Sequence, residues 1–182
     1  IDKEPALAVP GVHAVYTIDE FRPYLNNDRL VVGLPSPSYK QELDRPVLAD
    51  GEVVYVGEPI AIVVADTRHV AEDAAAVVHV DYDILPAVAD CRAALEKGAP
   101  LAHSSSPHNV LAQFDMGYGD VDLAFANAPQ VFSESMWQHR GGSHSIECRG
   151  AVSAYDPLED LITLYCTTQG AHTAKNILID ML

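Results

Sequence analysis

The stretch GEPIAIVVADTRHVAEDAAAVVHVDYDILPAV, residues 57–88, decides the fold. Ile60 to Ala65 is a short apolar run rich in β-branched residues, the pattern of a strand buried on both faces. Asp66 or Thr67 follows and can cap a helix by accepting from the free N–H groups of its first turn. Val70, Ala71, Ala74, Val77 and Val78 then recur at three- and four-residue spacing, which gives a helix one apolar stripe. From Val78 the period falls to two: Val78, Val80, Tyr82 and Ile84 share a face, with His79, Asp81 and Asp83 opposite. Leu85-Pro86 ends that segment, because proline cannot donate to a ladder and disfavours helix in its predecessor. The expectation is a strand, a crossover helix and a returning strand.

Working outward, Glu4 to Val9 can form a short helix ended by Pro10-Gly11, and Val12 to Thr17 a strand. Asp19 to Leu25 suggests a weak helical turn, and 26–50 reads as a long loop full of turn residues. Val53 to Val56 is a further strand candidate, turned by Gly57-Glu58-Pro59 into a hairpin with the run that follows. On the other side, Asp90 can cap a short helix through Leu95, and residues 102–109 (AHSSSPHN) have linker composition. Asp120 caps a helix carrying Val121, Ala124, Phe125 and Ala128. Val131 to Gln138, Gly150 to Tyr155 and Leu161 to Thr167 read as strands, the last two joined by a turn with Pro157 after Asp156. Ala174, Ile177, Leu178, Met181 and Leu182 form the apolar stripe of a final helix, expected to be exposed.

The 182 residues suffice for one domain or two small ones. With 26 acidic against 11 basic residues the net charge is −15, which disfavours nucleic acid or an anionic membrane as partner. No apolar run approaches the roughly 18 residues of a membrane span. Cys91, Cys148 and Cys166 lie far apart without a CxxC pair, so a disulfide framework or thiolate metal site is not expected and a reducing compartment is. The chain opens on Ile1 and closes inside an apolar-periodic segment, which suggests a fragment or one piece of a split polypeptide.

Four constellations invite a chemical reading. His139, His144 and Glu147 resemble a metal set, but the histidines are five apart and Gly141-Gly142 would break a helix between them; a glycine loop feeding a strand is the expectation. Gly117-Tyr118-Gly119 lacks the third glycine of a dinucleotide fingerprint and is better suited to shaping the turn into Asp120. Serines 104–106 sit in the linker, outside any nucleophile elbow. Thr167-Thr168-Gln169-Gly170 is the stronger candidate. It lies where a strand runs into a helix, and a glutamine there can donate to an oxo or carbonyl oxygen without adding charge.

Pro10-Gly11-Val12, Val56-Gly57-Glu58-Pro59-Ile60-Ala61, Val63-Val64-Ala65, Ala71-Glu72-Asp73-Ala74-Ala75, Val80-Asp81-Tyr82 and Leu85-Pro86-Ala87-Val88 occur in the order and at the distances of one domain type. Asn109, Gly119-Asp120-Val121, Ala124-Phe125, Ala128, Glu147 and Thr168-Gln169 extend the pattern. The chain thereby resembles the large, molybdenum-carrying subunits of the xanthine dehydrogenase, aldehyde oxidase and aerobic carbon monoxide dehydrogenase family. The resemblance implies an α+β chain: an a/b hammerhead domain over residues 1–105, then an incomplete α/β molybdopterin-binding fragment over 106–182. It implies that Gln169 lies beside the molybdenum and hydrogen-bonds its apical oxygen ligand. Glu147 matches a family acidic position on the strand beneath the site. Neither a catalytic residue nor a metal ligand is expected within this chain, since the family's general base, a glutamate near the subunit's C-terminus, would lie beyond Leu182.

The implied activity is cytoplasmic, molybdenum-dependent oxidation of an aldehyde, an N-heterocycle or carbon monoxide. The cofactor would be molybdenum–molybdopterin in its cytosine dinucleotide form, held by the intact parent and not retained by this chain alone. Partners would be the remainder of the molybdenum subunit, iron–sulfur and FAD modules and a small-molecule substrate, with no nucleic acid and no membrane span. The competing expectation is a non-catalytic scaffold or interaction module that kept the hammerhead. The segment Ser145-Ile146-Glu147-Cys148 departs from the proline-containing form common in the family, which leaves the subfamily open.

Overall fold

The computed structural model describes residues 1–30, 35–42, 44–138, 141 and 145–182. These form two compact units, Ile1–Phe114 together with Lys175–Leu182, and Asp115–Ala174.

The first unit is built on two antiparallel strands, β1 (Val12–Tyr16) and β4 (Ile62–Ala65), with Val12 opposite Ala65, Val15 opposite Val63 and Tyr16 opposite Ile62. Helices α1 (Glu4–Leu7) and α3 (Arg68–Ala75) contribute Ala6 and Ala74, both wholly buried, to a core with Val15. Val9, Val12, Ala61, Val63 and Val78 pack around that core. Alanines at the helix contacts leave no bulk to hold the helices away, so the small residues set the close packing. Gly11 turns α1 into β1 at φ +90°, where its carbonyl accepts from Asp66 N–H at 2.8 Å. A Cβ at Gly11 would meet Asp66 Oδ2 at 3.1 Å, so both conformation and space call for glycine there.

Several expectations hold. Thr67 is the cap of α3, its hydroxyl accepting from Val70 N–H at 3.3 Å. Thr17 precedes the one-turn α2 (Ile18–Phe21), and its N–H and hydroxyl both donate to Glu20 Oε2, at 2.8 and 2.7 Å. A 3₁₀ turn, Arg22–Tyr24, completes the weak helical segment. Among the described residues of the expected loop 26–50, β2 (Arg29–Leu30) pairs with β3 (Arg45–Pro46), Tyr39 forms a bridge with Ala112, and Leu48 is buried. Arg22 organises this region by donating to Asp28 (2.7 Å), Asp50 (2.6 Å) and Asp19 (3.2 Å).

Other expectations are corrected. β4 is not buried on both faces: Val63 and Ala65 are half-buried while Ile62 and Val64 are exposed. A strand in a two-stranded antiparallel pair is covered on one side only, and an apolar run does not reveal how many layers will cover it. The expected strand–helix–strand crossover is also absent. Residues 78–84 make a single bridge, His79 with Asp2, instead of a returning strand. Period two records which side chains could share a face, whereas a strand exists only where a neighbour supplies its ladder. Val53–Val56 is likewise irregular, because Val54 N–H donates to Glu58 Oε2 (2.7 Å) and Glu58 N–H to Tyr55 O, curling the chain over Gly57. No hairpin precedes β4 as a result.

Residues 102–109, read as a linker from composition, are well fastened. Asn109 Nδ2 donates to Ala94 O (3.0 Å) and Pro100 O (2.8 Å), and its Oδ1 accepts from Ala102 N–H (2.8 Å). Gln41 Nε2 donates to His108 O and Val110 O, and Ser104 donates through N–H and hydroxyl to Glu52. The helix expected after Asp90 is a 3₁₀ turn, Ala93–Leu95, with Asp90 Oδ1 accepting from Arg92 and Ala93 N–H.

The second unit holds α4 (Val121–Asn127), capped by Asp120 through Leu123 N–H at 2.9 Å, and the hairpin β5 (Ala151–Asp156) and β6 (Leu161–Cys166). The hairpin register runs from Ala151 opposite Cys166 to Asp156 opposite Leu161. Asp156 Oδ1 accepts from Leu158 N–H (2.9 Å), and Asp160 closes the turn at φ +50°. The hairpin expected around Pro157 is therefore the one found. Val131 to Gln138 is not a strand: these residues form no element of regular secondary structure. Helix α5 (Ala171–Met181) begins in this unit, and its residues from Lys175 group with the first. Its apolar stripe is not the exposed surface expected: Ala174, Ile177 and Leu178 are half-buried and Met181 is buried, with Leu182 alone exposed. Asn26 N–H donates to Met181 O and Asn27 Nδ2 to Asp180 Oδ2, which seats the end of α5.

Candidate functional site

Gln169 stands between two hydrogen-bonded systems. The β5–β6 ladder ends one residue beyond the strands, where Thr167 N–H donates to Gly150 O at 3.2 Å. Helix α5 opens with Ala174 N–H donating to Gly170 O at 3.0 Å. In the gap, Gly170 N–H donates to Thr168 Oγ1 at 3.1 Å, so that the threonine hydroxyl bridges across Gln169. A Cβ on Gly170 would lie 3.2 Å from Thr173 Oγ1, so glycine lets the first helical turn close tightly behind the junction. The Gln169 side chain is exposed and has no hydrogen-bond partner among the described residues. Its amide can donate two hydrogen bonds and accept at its oxygen, and it is neutral at any working pH.

The other sequence candidates do not join it. His139 and His144 lie outside the described residues, and Glu147 is exposed. Among the described residues no group of three His, Cys, Asp or Glu side chains could hold a metal ion. Cys91, Cys148 and Cys166 are free and exposed. Gly119, at φ +68°, turns the chain into the Asp120 cap, the role read for it. No described helix is long and apolar enough to cross a membrane.

The groups with shifted protonation lie in the first unit, in local structural roles. The hydrogen bond from Lys3, reinforced by the Thr17 N–H and hydroxyl, lowers Glu20 to about 2. The Asp28 carboxylate raises Arg22, and the Arg92 and Ala93 N–H groups lower Asp90. Two shallow depressions occur away from Gln169. One of about 240 Å³ lies between Phe125 and Phe132, and one of about 220 Å³ is bordered by Leu95, Leu101 and Asn109.

Sequence reasoning singled out Gln169 but passed over Thr168 as a bridge and Asn109 as a three-way fastener. A Thr two residues before a Gly at a helix start is a usable signal for the former. Asn109 offers no local signal, because its partners are set by the surrounding loop.

The chain matches two domain families in succession: "Aldehyde oxidase and xanthine dehydrogenase, a/b hammerhead domain" over residues 1–86 and "Molybdopterin cofactor-binding domain" over residues 102–182. It belongs to the xanthine dehydrogenase and carbon monoxide dehydrogenase large-subunit family, as an α+β chain carrying hammerhead and molybdopterin-binding sequence. Among individual relatives, the carbon monoxide dehydrogenase large chain of Hydrogenophaga pseudoflava is 35% identical across 97% of this chain and 23% of its own length. The nicotine 6-hydroxylase large subunit of Paenarthrobacter nicotinovorans is 34% identical across 96% of this chain and 21% of its own. Of solved structures, quinoline 2-oxidoreductase from Pseudomonas putida 86 superposes with TM-score 0.76 at 32% identity, covering 92% of this chain and 21% of that one. The Cu,Mo-CO dehydrogenase structure superposes with TM-score 0.77 at 30% identity, covering 97% and 23%. The chain thus spans about a fifth of the length of these relatives.

Proposed function

We propose that this chain is part of the large subunit of a molybdenum-dependent oxidoreductase acting on an N-heterocycle, an aldehyde or carbon monoxide. The division expected from sequence, hammerhead over 1–105 and molybdopterin-binding portion over 106–182, is retained in this reading. Support comes from relatives with heterocycles in their names (nicotine, quinoline, nicotinate) and from two carbon monoxide dehydrogenases, at similar identities. The observation that carries the reading is the presentation of Gln169: an uncharged, unengaged amide held at a strand-to-helix junction. Such a donor does not ligate a metal, but it suits hydrogen bonding to an oxygen atom on a cofactor that brings its own metal ligands. When bound, the molybdenum–molybdopterin cofactor, in its cytosine dinucleotide form, supplies the oxygen-transfer and electron-accepting chemistry. This chain's residues orient it: Gln169 donates its amide N–H, and the β6–α5 junction fixes where that N–H points. Iron–sulfur and FAD modules, carried on other segments or subunits in the cytoplasm, would receive the electrons.

Replacing Gln169 by Ala in the complete polypeptide containing this segment is expected to lower turnover about 10- to 100-fold, the usual loss for an outer-shell partner of a metal site. Thermal unfolding should be unchanged, because the side chain is exposed and makes no bond among the described residues. Steady-state kinetics beside a melting curve checks both, and unaltered kinetics would remove Gln169 from the site.

A further inference from the structure

We infer that Thr168 is the positioning residue for Gln169, an inference that rests on the reading of Gln169 as the cofactor-facing donor. The Gly150–Thr167 bond fixes the backbone up to Thr167, and α5 fixes it from Gly170 onward. Thr168 and Gln169 lie between these anchors, where no backbone-to-backbone bond of their own is present among the described residues. The one link across the gap is Thr168 Oγ1 accepting from Gly170 N–H at 3.1 Å. That bond closes a small ring around the Gln169 peptide and restricts the φ and ψ from which its amide projects. Gly170 completes the device, since the absent Cβ leaves Thr173 its place only 3.2 Å from where that carbon would stand. Without the hydroxyl, the junction would exchange among turn conformers and the Gln169 amide would sweep a range of directions. A hydrogen bond to a cofactor oxygen depends on direction as well as distance, so loss of the bridge acts on the site through Gln169.

Thr168→Val keeps size and branching and removes the acceptor, whereas Thr168→Ser keeps the acceptor. In the 182-residue chain, NMR is expected to show Gly170 amide exchange about three- to tenfold faster in Thr168→Val, the range expected for one exposed hydrogen bond. The Gln169 backbone coupling constant should move toward an averaged value. Thr168→Ser should restore both. In the complete molybdenum-loaded polypeptide, Thr168→Val should lower kcat by about the same factor with KM unchanged, and Thr168→Ser should recover it. Wild-type exchange and coupling in Thr168→Val, or failure of serine to rescue, would overturn the inference. If Thr168→Val frees the junction while Gln169→Ala leaves turnover intact, the bridge stands and the cofactor-facing role of Gln169 falls instead.

Discussion

Glu20 shows how much a single side chain can do on a small element. Lys3 donates to it, and the N–H and hydroxyl of Thr17 donate to its other oxygen, so one carboxylate ties the start of α1 to the start of α2. Each of these bonds favours the ionised form, which explains the fall from an ordinary value of 4.5 to about 2. A folded-state value below the unfolded one means that the ionised carboxylate favours the native state. The contribution is complete above about pH 4.5 and declines as pH falls toward about 2. Glu20→Gln should therefore flatten the stability profile between those limits and leave the slope at neutral pH as it was. Urea unfolding at several pH values tests this, and equal slopes in the two proteins across the acid window would refute it. The Thr17–Glu20 pair was not read from sequence, which expected only a weak helical turn over Asp19 to Leu25, although its members lie three residues apart. Arg22, which gathers Asp19, Asp28 and Asp50, was not readable either, because two of those partners are brought to it by the loop.

At the level of elements, success and failure divide by whether the partner was local. Asp66 or Thr67 was expected to cap one helix and Asp120 another, and Thr67 and Asp120 each accept from an N–H three residues on. The β5–β6 hairpin was legible for the same reason, since its turn joins strands adjacent in the chain. β4, in contrast, pairs with β1 across a long separation, and nothing inside residues 57–88 announces that neighbour. Residues 78–84, with period two, and 131–138 were expected as strands but acquire no ladder here, so local pattern alone overstated them. The stripe expected over residues 70–78 holds in α3 for Val70, Ala71 and Ala74, of which Ala74 is wholly buried, whereas Val77 lies past the end of the helix and is exposed. That inequality yields a prediction. Ala74→Leu places a large side chain where α1 and α3 meet over Val15 and should cost about 1–3 kcal/mol. Val77→Leu, on the exposed side, should fall within about 0.5 kcal/mol of the parent. Equal destabilisation by the two substitutions in urea titrations would contradict the assigned core.

For the whole molecule the two units differ in how much they bury. The first has a core of Ala6, Val15 and Ala74, with Ile18, Leu48 and Met181 also buried. In the second, none of the described residues is buried, and only Leu164, Gly170 and Ala174 are half-buried. Gln169 belongs to that second unit, and its chain neighbour Thr168 is exposed as well. Cofactor sites normally enclose about 70–90% of their ligand's surface. A junction open to solvent offers orientation and direction but little enclosure, and Gln169 contributes a neutral donor in place of a metal-binding group. Enclosure would have to come from further sequence, consistent with a chain spanning about a fifth of its relatives. This is why Gln169, the residue proposed to orient the cofactor, could be singled out from its own local pattern, whereas a pocket assembled from distant chain could not be read. We therefore expect the purified 182-residue protein to carry far less than stoichiometric molybdenum even when produced in cells making the cofactor. The complete polypeptide should be loaded under the same conditions. Metal analysis of both preparations decides the matter, and near-stoichiometric molybdenum on the 182-residue chain would mean that these residues enclose the cofactor unaided.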